Sequence, residues 1–408
     1  TAQTNQTITD LRMEIVSYDT INPLISNNRN VQEITKLIFE PLLQLDENYK
    51  LQPCLATEWA KSGDTSYILK LRSNVKWQDG TSFTAQDVKY TIETLKQINS
   101  IYSYNVQHIA SVDIIDNYSI RINLDTIIPF FEYNLIFPIV SSTYFAGQDI
   151  QNTDKNATPI GTGMYKIESN STSTVVLKKN TSWWNISEKN AKVDTINVNK
   201  YSSMGEAYNA FKLGNIDILT TENINIEDNI GTIGYNKKEF YGREHDFIAL
   251  NTYDNFLSRW EVRKAISYAI DKSSIVTSVY GGKYYTADNP LDYGNWTFEQ
   301  GSSSTGYNPD QAKQVLIDGG WSYKYGSWQK VENYKTIRLS INLTVNADNS
   351  SQVAVADIIK TSLENIGIKV NVSKLNSASF QTALNNKNYG MIITGTNSSL
   401  SPSLVTYF

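Results

Sequence analysis

The sequence predicts an α/β protein of more than one domain, and three observations carry that expectation. Between Leu69 and Leu95 a strand-like alternation runs into a capped helix. The same order returns near the end: Ile337, Leu339, Ile341 and Leu343 alternate, a helix runs from about Gln352 to Ile366-Gly367, and Ile368, Val370 and Val372 alternate again. Finally, 408 residues exceed what one ordinary core holds, so two or three domains are expected.

Taken in order, Met13 to Ser17 reads as a strand and Tyr18 to Leu24 as the loop at its end, where Asn22-Pro23 marks a turn. Val31, Ile34, Leu37 and Ile38 have helix spacing up to Pro41. Leu69 and Leu71 alternate with Lys70 and Arg72. Val75 and Trp77 anchor the next segment, Asp79-Gly80 turns it, and Thr84 to Asp87 forms a capping box before Val88, Ile92 and Leu95. Tyr118 to Leu124 alternates as a half-buried strand, and the apolar run Ile127 to Val140 predicts a buried helix or strand pair.

Gly161-Thr162-Gly163 predicts a close backbone approach, not a phosphate loop, since no third glycine or Gly-Lys-Ser/Thr follows. Val175 to Lys178 is a strand. Glu206 to Leu213 is a helix stopped at Gly214, and Ile216 to Leu219 is the next strand. Phe247 to Leu250 is an apolar strand. Val262, Ile266, Ala269, Ile270 and Val276 predict one long helix, and Asn308-Pro309-Asp310-Gln311 opens another that closes at Gly319-Gly320.

Composition excludes several function classes. The net charge is −5 and no basic run occurs, so a nucleic-acid partner is not expected. No stretch approaches the roughly 20 apolar residues of a membrane span. Cys54, the one cysteine, reads as a small, partly buried residue and allows no intrachain disulfide. His108 and His245 stand far apart without metal-ligand spacing, and no Gly-x-Ser-x-Gly elbow occurs, so neither a metal site, a cofactor nor catalysis is expected. The 26 tyrosines and 8 tryptophans weakly favour an adaptable binding surface.

Residue order adds to this reading. Lys76-Trp77, Asp79-Gly80-Thr81 and Thr84-Ala85-x-Asp87-Val88-x-Tyr90 resemble the signature of the family 5 extracellular solute-binding proteins, receptors of ABC importers for peptides, dipeptides and nickel. Further segments match the same family in the same order: Leu42 to Trp59, Pro159 to Tyr165, Asn180 to Trp184, Leu213 to Asp217, and Val262 to Lys272. Pro41 stands near a family glycine, and Met164 replaces a family proline.

The resemblance implies a two-lobed periplasmic-binding-protein-like fold of the cluster-C type, with an extra inserted domain. Domain I would take residues 1–29 and 155–246, domain II residues 30–154, and domain III residues 247–408, expected to be cut short at its C-terminus. It implies a monomeric, exported, cell-surface lipid-anchored or periplasmic receptor that closes its lobes on an oligopeptide and delivers it to a membrane permease. A nickel chelate, a glycan or a peptide signal stays open as the alternative ligand, and a hydrolase as the alternative class.

Ligand contacts are expected from Tyr18, Asp19, Asn22 and Pro23 on the first lobe and from Gly395, Thr396, Asn397, Ser398 and Ser399 on the second. In the resemblance, Thr396 takes the place of a family tryptophan and Ser399 that of the aspartate that clamps a ligand amine. No arginine stands nearby to meet a ligand carboxylate. A charged hydrogen bond contributes about 1.5–3 kcal/mol, so these departures bear on which ligand is held, not on transport.

Overall fold

The structure, a computed structural model, describes residues 9–240, 242–287, 296–297, 306–397 and 400–403. The chain divides into two compact units: one runs through Lys237 and includes Leu400–Ser403, and the other begins at Lys238.

The first unit contains two four-stranded sheets. The strands of these two sheets are β1 (Asp10–Val16), β2 (Ala56–Lys61), β3 (Ser66–Leu71), β4 (Ile109–Asp116), β5 (Ser119–Leu124), β6 (Tyr165–Asn170), β7 (Thr174–Lys179) and β8 (Thr195–Tyr201). One sheet has the order β1-β8-β7-β6, with β1 and β8 parallel; the other is β2-β3-β5-β4, antiparallel throughout. In the latter, Leu69, Leu71, Ile120 and Ile122 face the core as their alternation predicts. Helix α1 is Arg29–Thr35, α2 is Ala85–Leu95 and α3 is Met204–Lys212.

The stretch from Trp77 to Leu95 folds as its residues dictate. Gly80 takes φ of 90°, and its N–H donates to the Trp77 carbonyl (2.9 Å). Thr84 caps α2, while its own N–H donates to Asp87 Oδ2 (2.9 Å), completing the capping box. Buried Asp87 also accepts from Trp77 Nε1–H (3.2 Å) and from the Ser142 N–H (2.8 Å) and hydroxyl (2.7 Å). One carboxylate therefore starts the helix and ties it to the turn that precedes it and to a distant loop.

Gly161 and Gly163 make the expected approach. A Cβ on either would lie 1.9 Å from the Ile38 carbonyl oxygen or 2.6 Å from that of Leu37. Gly163 and Tyr165 donate to those same carbonyls at 2.8 and 2.9 Å. This pairing corrects the expected helix through Ile38: α1 ends at Thr35 because Leu37 and Ile38 turn away to meet the glycines. Thr162 between them donates to buried Glu40 (2.7 Å), which also accepts from the indole N–H groups of Trp183 (3.0 Å) and Trp184 (2.9 Å).

Two other expectations fail in this unit. Ile127 to Val140 forms a 3-10 turn at Phe131–Asn134 and one isolated bridge, Pro138 to Pro41, since Pro129 and Pro138 interrupt it and Phe130 takes φ of 55°. Ile216 to Leu219 reduces to one parallel bridge, Met13 to Ile218, while Asp217 turns to pair with Arg12 (2.6 Å).

The second unit has one mixed sheet and surrounding helices. The strands of this mixed sheet are β9 (Glu244–Leu250), β10 (Ser340–Asn346), β11 (Lys369–Leu375) and β12 (Met391–Asn397), in the order β9-β12-β10-β11. Its helices are α4 (Trp260–Ala269), α5 (Lys272–Tyr280), α6 (Pro309–Asp318), α7 (Ser350–Asn365) and α8 (Ser377–Asn385). The expected single helix from Val262 to Val276 is two, because Asp271 accepts from the Ser274 N–H and caps a fresh start. The expected strand from Ile337 to Leu343 is also two. It breaks at Leu339, whose N–H pairs with Trp328, so the preceding Lys335–Arg338 belongs to a separate three-stranded sheet. Asn308 and Pro309 open α6 as predicted, with Asn308 Oδ1 accepting from the Gln311 N–H (2.9 Å).

Candidate functional site

In the second unit, β10 leads through α7 to β11 on one side, and β11 leads through α8 to β12 on the other. Both neighbours run parallel to β10. The two connections therefore leave the carboxyl edge of the sheet in opposite directions. Such a switch point opens a crevice between the strand ends, and ligands of open α/β sheets bind there.

A hollow of about 290 Å³ occupies this place, lined by Glu244, Asp246, Asn346, Asn349, Gln352, Phe380 and Thr394 to Asn397. That volume lies at the small end of ligand sites. Asn346 ends β10, and its Oδ1 accepts from the Asp348 N–H (3.0 Å). Asp348 accepts in turn from the Ser377 N–H (2.9 Å) and hydroxyl (2.6 Å), which holds its carboxyl below the usual range and ties this loop to the start of α8. Asn349 caps α7 through the Gln352 N–H (3.0 Å). The wall is thus built from two capped helix starts, which fix its backbone.

Antiparallel pairing sets Glu244 opposite Asn397 and Asp246 opposite Gly395. A Cβ at residue 395 would lie 2.3 Å from Asp246 Oδ1, so glycine there makes room for the carboxylate. Asp246 accepts only long hydrogen bonds, from Gln352 Nε2 and the Tyr280 hydroxyl, both at 3.4 Å. Although Asp246 is exposed as a residue, packing of its carboxyl against these side chains desolvates it and raises its pKa, with the two hydrogen bonds opposing. Desolvation and this neighbouring charge raise the Tyr280 phenol as well.

In the first unit, the parallel strands β1 and β8 also end side by side, at Val16 and Tyr201. Tyr18 follows β1, half-buried, with Lys200 Nζ 3.8 Å from its ring centre and its hydroxyl accepting from Asn170 Nδ2 (2.9 Å). Burial raises the Tyr18 phenol and lowers the Lys200 ammonium. Asp19 is exposed and organises the loop, accepting from the Thr20 N–H (2.7 Å), the Ser26 hydroxyl (2.8 Å) and the Asn27 N–H (2.9 Å). Asn22 is fully buried, accepting from the Leu24 N–H (3.0 Å) and donating to Asn156 (2.7 Å). Pro23 is buried too, its carbonyl taken by Gln32 (2.9 Å).

Of the residues expected to touch ligand, Gly395, Thr396 and Asn397 line the hollow together. Tyr18, Asp19, Asn22 and Pro23 share one loop of the first unit. Ser398 and Ser399 lie outside the described residues. The sequence reading missed Glu244, Asp246, Asn346, Asn349, Gln352 and Phe380. Asn346 and Asn349 were within reach, because polar residues between a strand's carboxyl end and a helix start mark a switch-point loop. Of the three other side chains singled out, His245 stacks on Phe247 at 5.8 Å between ring centres, and the remaining two are structural. His108 Nδ1 lies 3.1 Å from Asp125, and Cys54 is buried with its thiol pushed up by desolvation.

Among the described residues, no helix is long and apolar enough to cross a membrane. Residues 50–408 match the bacterial extracellular solute-binding proteins, family 5 Middle. The glutathione-binding protein GsiB of Shigella boydii is 25% identical over 375 residues, which cover 88% of this chain and 68% of that protein. The crystal structure of NikZ from Campylobacter jejuni, in complex with Ni(L-His), is 26% identical, has a TM-score of 0.62 and covers 97% of this chain and 78% of its own. The oligopeptide-binding protein AppA of Bacillus subtilis, in complex with a nonapeptide, shares the fold at 22% identity and a TM-score of 0.60, covering 98% of this chain and 81% of its own. With the family matched over most of its length, the two-unit α/β chain belongs to the extracellular solute-binding proteins of family 5.

Proposed function

We propose that this protein captures small peptides outside the cell and delivers them to the permease of an ABC importer, acting as a receptor without turnover. The observation that carries the reading is the switch-point hollow, whose wall of hydroxyl, amide and carboxylate groups around Phe380 suits a polar ligand with one apolar flank. The glutathione named for GsiB and the nonapeptide named for AppA support peptides as the class. Gly395, Thr396 and Asn397 would contact ligand, together with Tyr18 and Asp19 of the first unit. Asn22 and Pro23, being buried, would shape the loop that carries them. Ser398 and Ser399 continue the hollow's strand in sequence and belong to the same proposal.

The receptor would act as a monomer held at the cell surface by a lipid anchor or retained in the periplasm. Within the first unit, a division into a domain of residues 1–29 and 155–246 and an inserted domain of residues 30–154 is supported by the two separate sheets, β1-β8-β7-β6 and β2-β3-β5-β4.

NikZ favours one second reading, a nickel–histidine chelate. Thermal shift of the purified chain separates the two. At a hundredfold excess over Kd a bound ligand stabilises by about 2.7 kcal/mol, a readable change. Stabilisation by pools of di- to octapeptides is expected. Stabilisation by nickel–histidine alone would replace the peptide reading with the chelate.

A further inference from the structure

We propose that the three-stranded sheet of the second unit docks on an anionic lipid surface. The inference goes beyond capture of a solute, since it names a face of the chain that meets a membrane.

The sheet is formed by Ser322–Lys324, Ser327–Glu332 and Lys335–Arg338, antiparallel throughout. Two-residue turns join the strands, Tyr325-Gly326 and Asn333-Tyr334, and all four residues take positive φ, from 48° to 75°. These are the hairpin turns that favour Asn and Gly, because a left-handed backbone crowds a bulky side chain. Each turn holds a tyrosine instead, and both rings stand in solvent: Tyr325 is 95% exposed and Tyr334 fully so. An aromatic held in a strained backbone with no packing of its own points to a partner outside the fold.

Alternation separates the two faces of the sheet. On the inner face, Trp328 Nε1–H donates to the Ile366 carbonyl (2.7 Å) and Lys330 lies 3.7 Å from buried Glu261. The outer face carries Lys324, Arg338 and exposed Val331 among hydroxyl and amide side chains, with no carboxylate. Lys324 pairs with Ser327 and Arg338 with Gln329, so the two cations flank the middle strand, about 12 Å apart at the backbone. Residues 322–338 hold four cations and one acid, in a chain of net charge −5. That acid, Glu332, is already taken by Arg259 (2.8 Å) and Lys330 (3.5 Å). Lys324, Lys335 and Arg338 have no ion-pair partner among the described residues. The Arg259 pair also brings the start of α4, with exposed Trp260, to the Tyr334 end of the sheet.

Charge and aromatic placement choose the partner. Tyr and Trp bring an apolar ring and a polar tip to the headgroup level of a bilayer, and Lys and Arg answer anionic lipid there. A protein partner would want an apolar centre, and this face offers Val331 alone. Each cation is worth about fivefold in binding to an anionic surface, so three give about a hundredfold, screened by salt. That suffices to orient a chain already held near a membrane.

The test is flotation of the full chain with vesicles of phosphatidylglycerol and phosphatidylcholine in equal parts, or of phosphatidylcholine alone, at low and high salt. Wild type is expected to bind the mixed vesicles about a hundredfold better at low salt and to lose most of that difference at high salt. Lys324→Glu combined with Arg338→Glu should bind the mixed vesicles about 25-fold less, or weaker still. Tyr325→Asn combined with Tyr334→Gly supplies the residues these turns favour, so it should melt no lower than wild type and yet bind several-fold less.

Wild type that floats with neither vesicle, or equally with both, overturns the proposal. Undiminished flotation of both variants overturns the role of this face. Uptake of soluble polyglycerol phosphate with none by vesicles overturns lipid as the partner. Stabilisation by peptides is read beside flotation. Where it persists without flotation, the receptor reading stands and this proposal falls; where it is absent and flotation holds, the reverse is true.

Discussion

Gly395 and Asp246 face each other across two antiparallel strands so closely that a Cβ on the glycine would lie 2.3 Å from the carboxylate oxygen. The contact leaves two options for any larger residue: the carboxylate rotates away, or the strands part. Asp246 is exposed and loosely bonded, so rotation is the cheaper. Gly395→Ala is therefore expected to change the melting temperature little while weakening peptides held in the hollow about tenfold. Calorimetry on the variant, beside a thermal melt, checks both halves.

The capping carboxylate of the first unit should behave oppositely. Asp87 starts α2 and accepts from Trp77 and Ser142 inside the core. Asp87→Ala is expected to cost about 2–4 kcal/mol, from the lost cap and the donors left unpaired. Urea denaturation measures it, and a loss under about 1 kcal/mol would contradict this account of the motif.

Glu40 joins two segments that the sequence only places in order. Removing it in Glu40→Ala strands the indole N–H groups of Trp183 and Trp184 and the Thr162 hydroxyl, at a cost of about 3 kcal/mol or more. Thr162→Val removes a single donor and is expected to cost about 1 kcal/mol. The two denaturation curves, taken together, test whether the carboxylate or merely the packing holds this corner.

Glu14 predicts a pH dependence. It is buried on β1, with Oε1 accepting from the Thr220 N–H (2.7 Å) and Oε2 without a hydrogen-bond partner. Desolvation raises its pKa above the ordinary 4.5, outweighing that bond. A raised acid keeps its proton in the folded state after the unfolded chain has released it. Its contribution is therefore fully present below the ordinary value and is lost as pH rises through the folded one. Glu14→Gln should flatten that part of the stability profile and be at least as stable as wild type at pH 7. Glu40 and Asp246 shift in the same direction, so the difference between wild type and variant isolates Glu14.

Much of the scaffold was legible because its causes are local. Thr84 and Asp87 sit three residues apart and cap one helix, and Asn308 and Pro309 announce another. The two glycines around Thr162 declared a close approach, though not what they approach. Spacing failed where a local cap competed with apolar period: Asp271 divides a run whose hydrophobic residues would suit one helix. Alternation failed at Leu339, since a period of two does not say which sheet a strand joins. The hollow was half legible. Gly395 to Asn397 came from order along the chain, but Asp246 reaches them only through strand pairing across about 150 residues, which no spacing rule encodes.

The central claim, capture of a peptide, meets its most direct test in native mass spectrometry of the purified chain before any ligand is added. The account predicts adducts in the mass range of short peptides, released on denaturation and identified by sequencing. Adducts whose masses are those of a nickel–histidine complex or a glycan, with peptides neither carried nor taken up on addition, would contradict it.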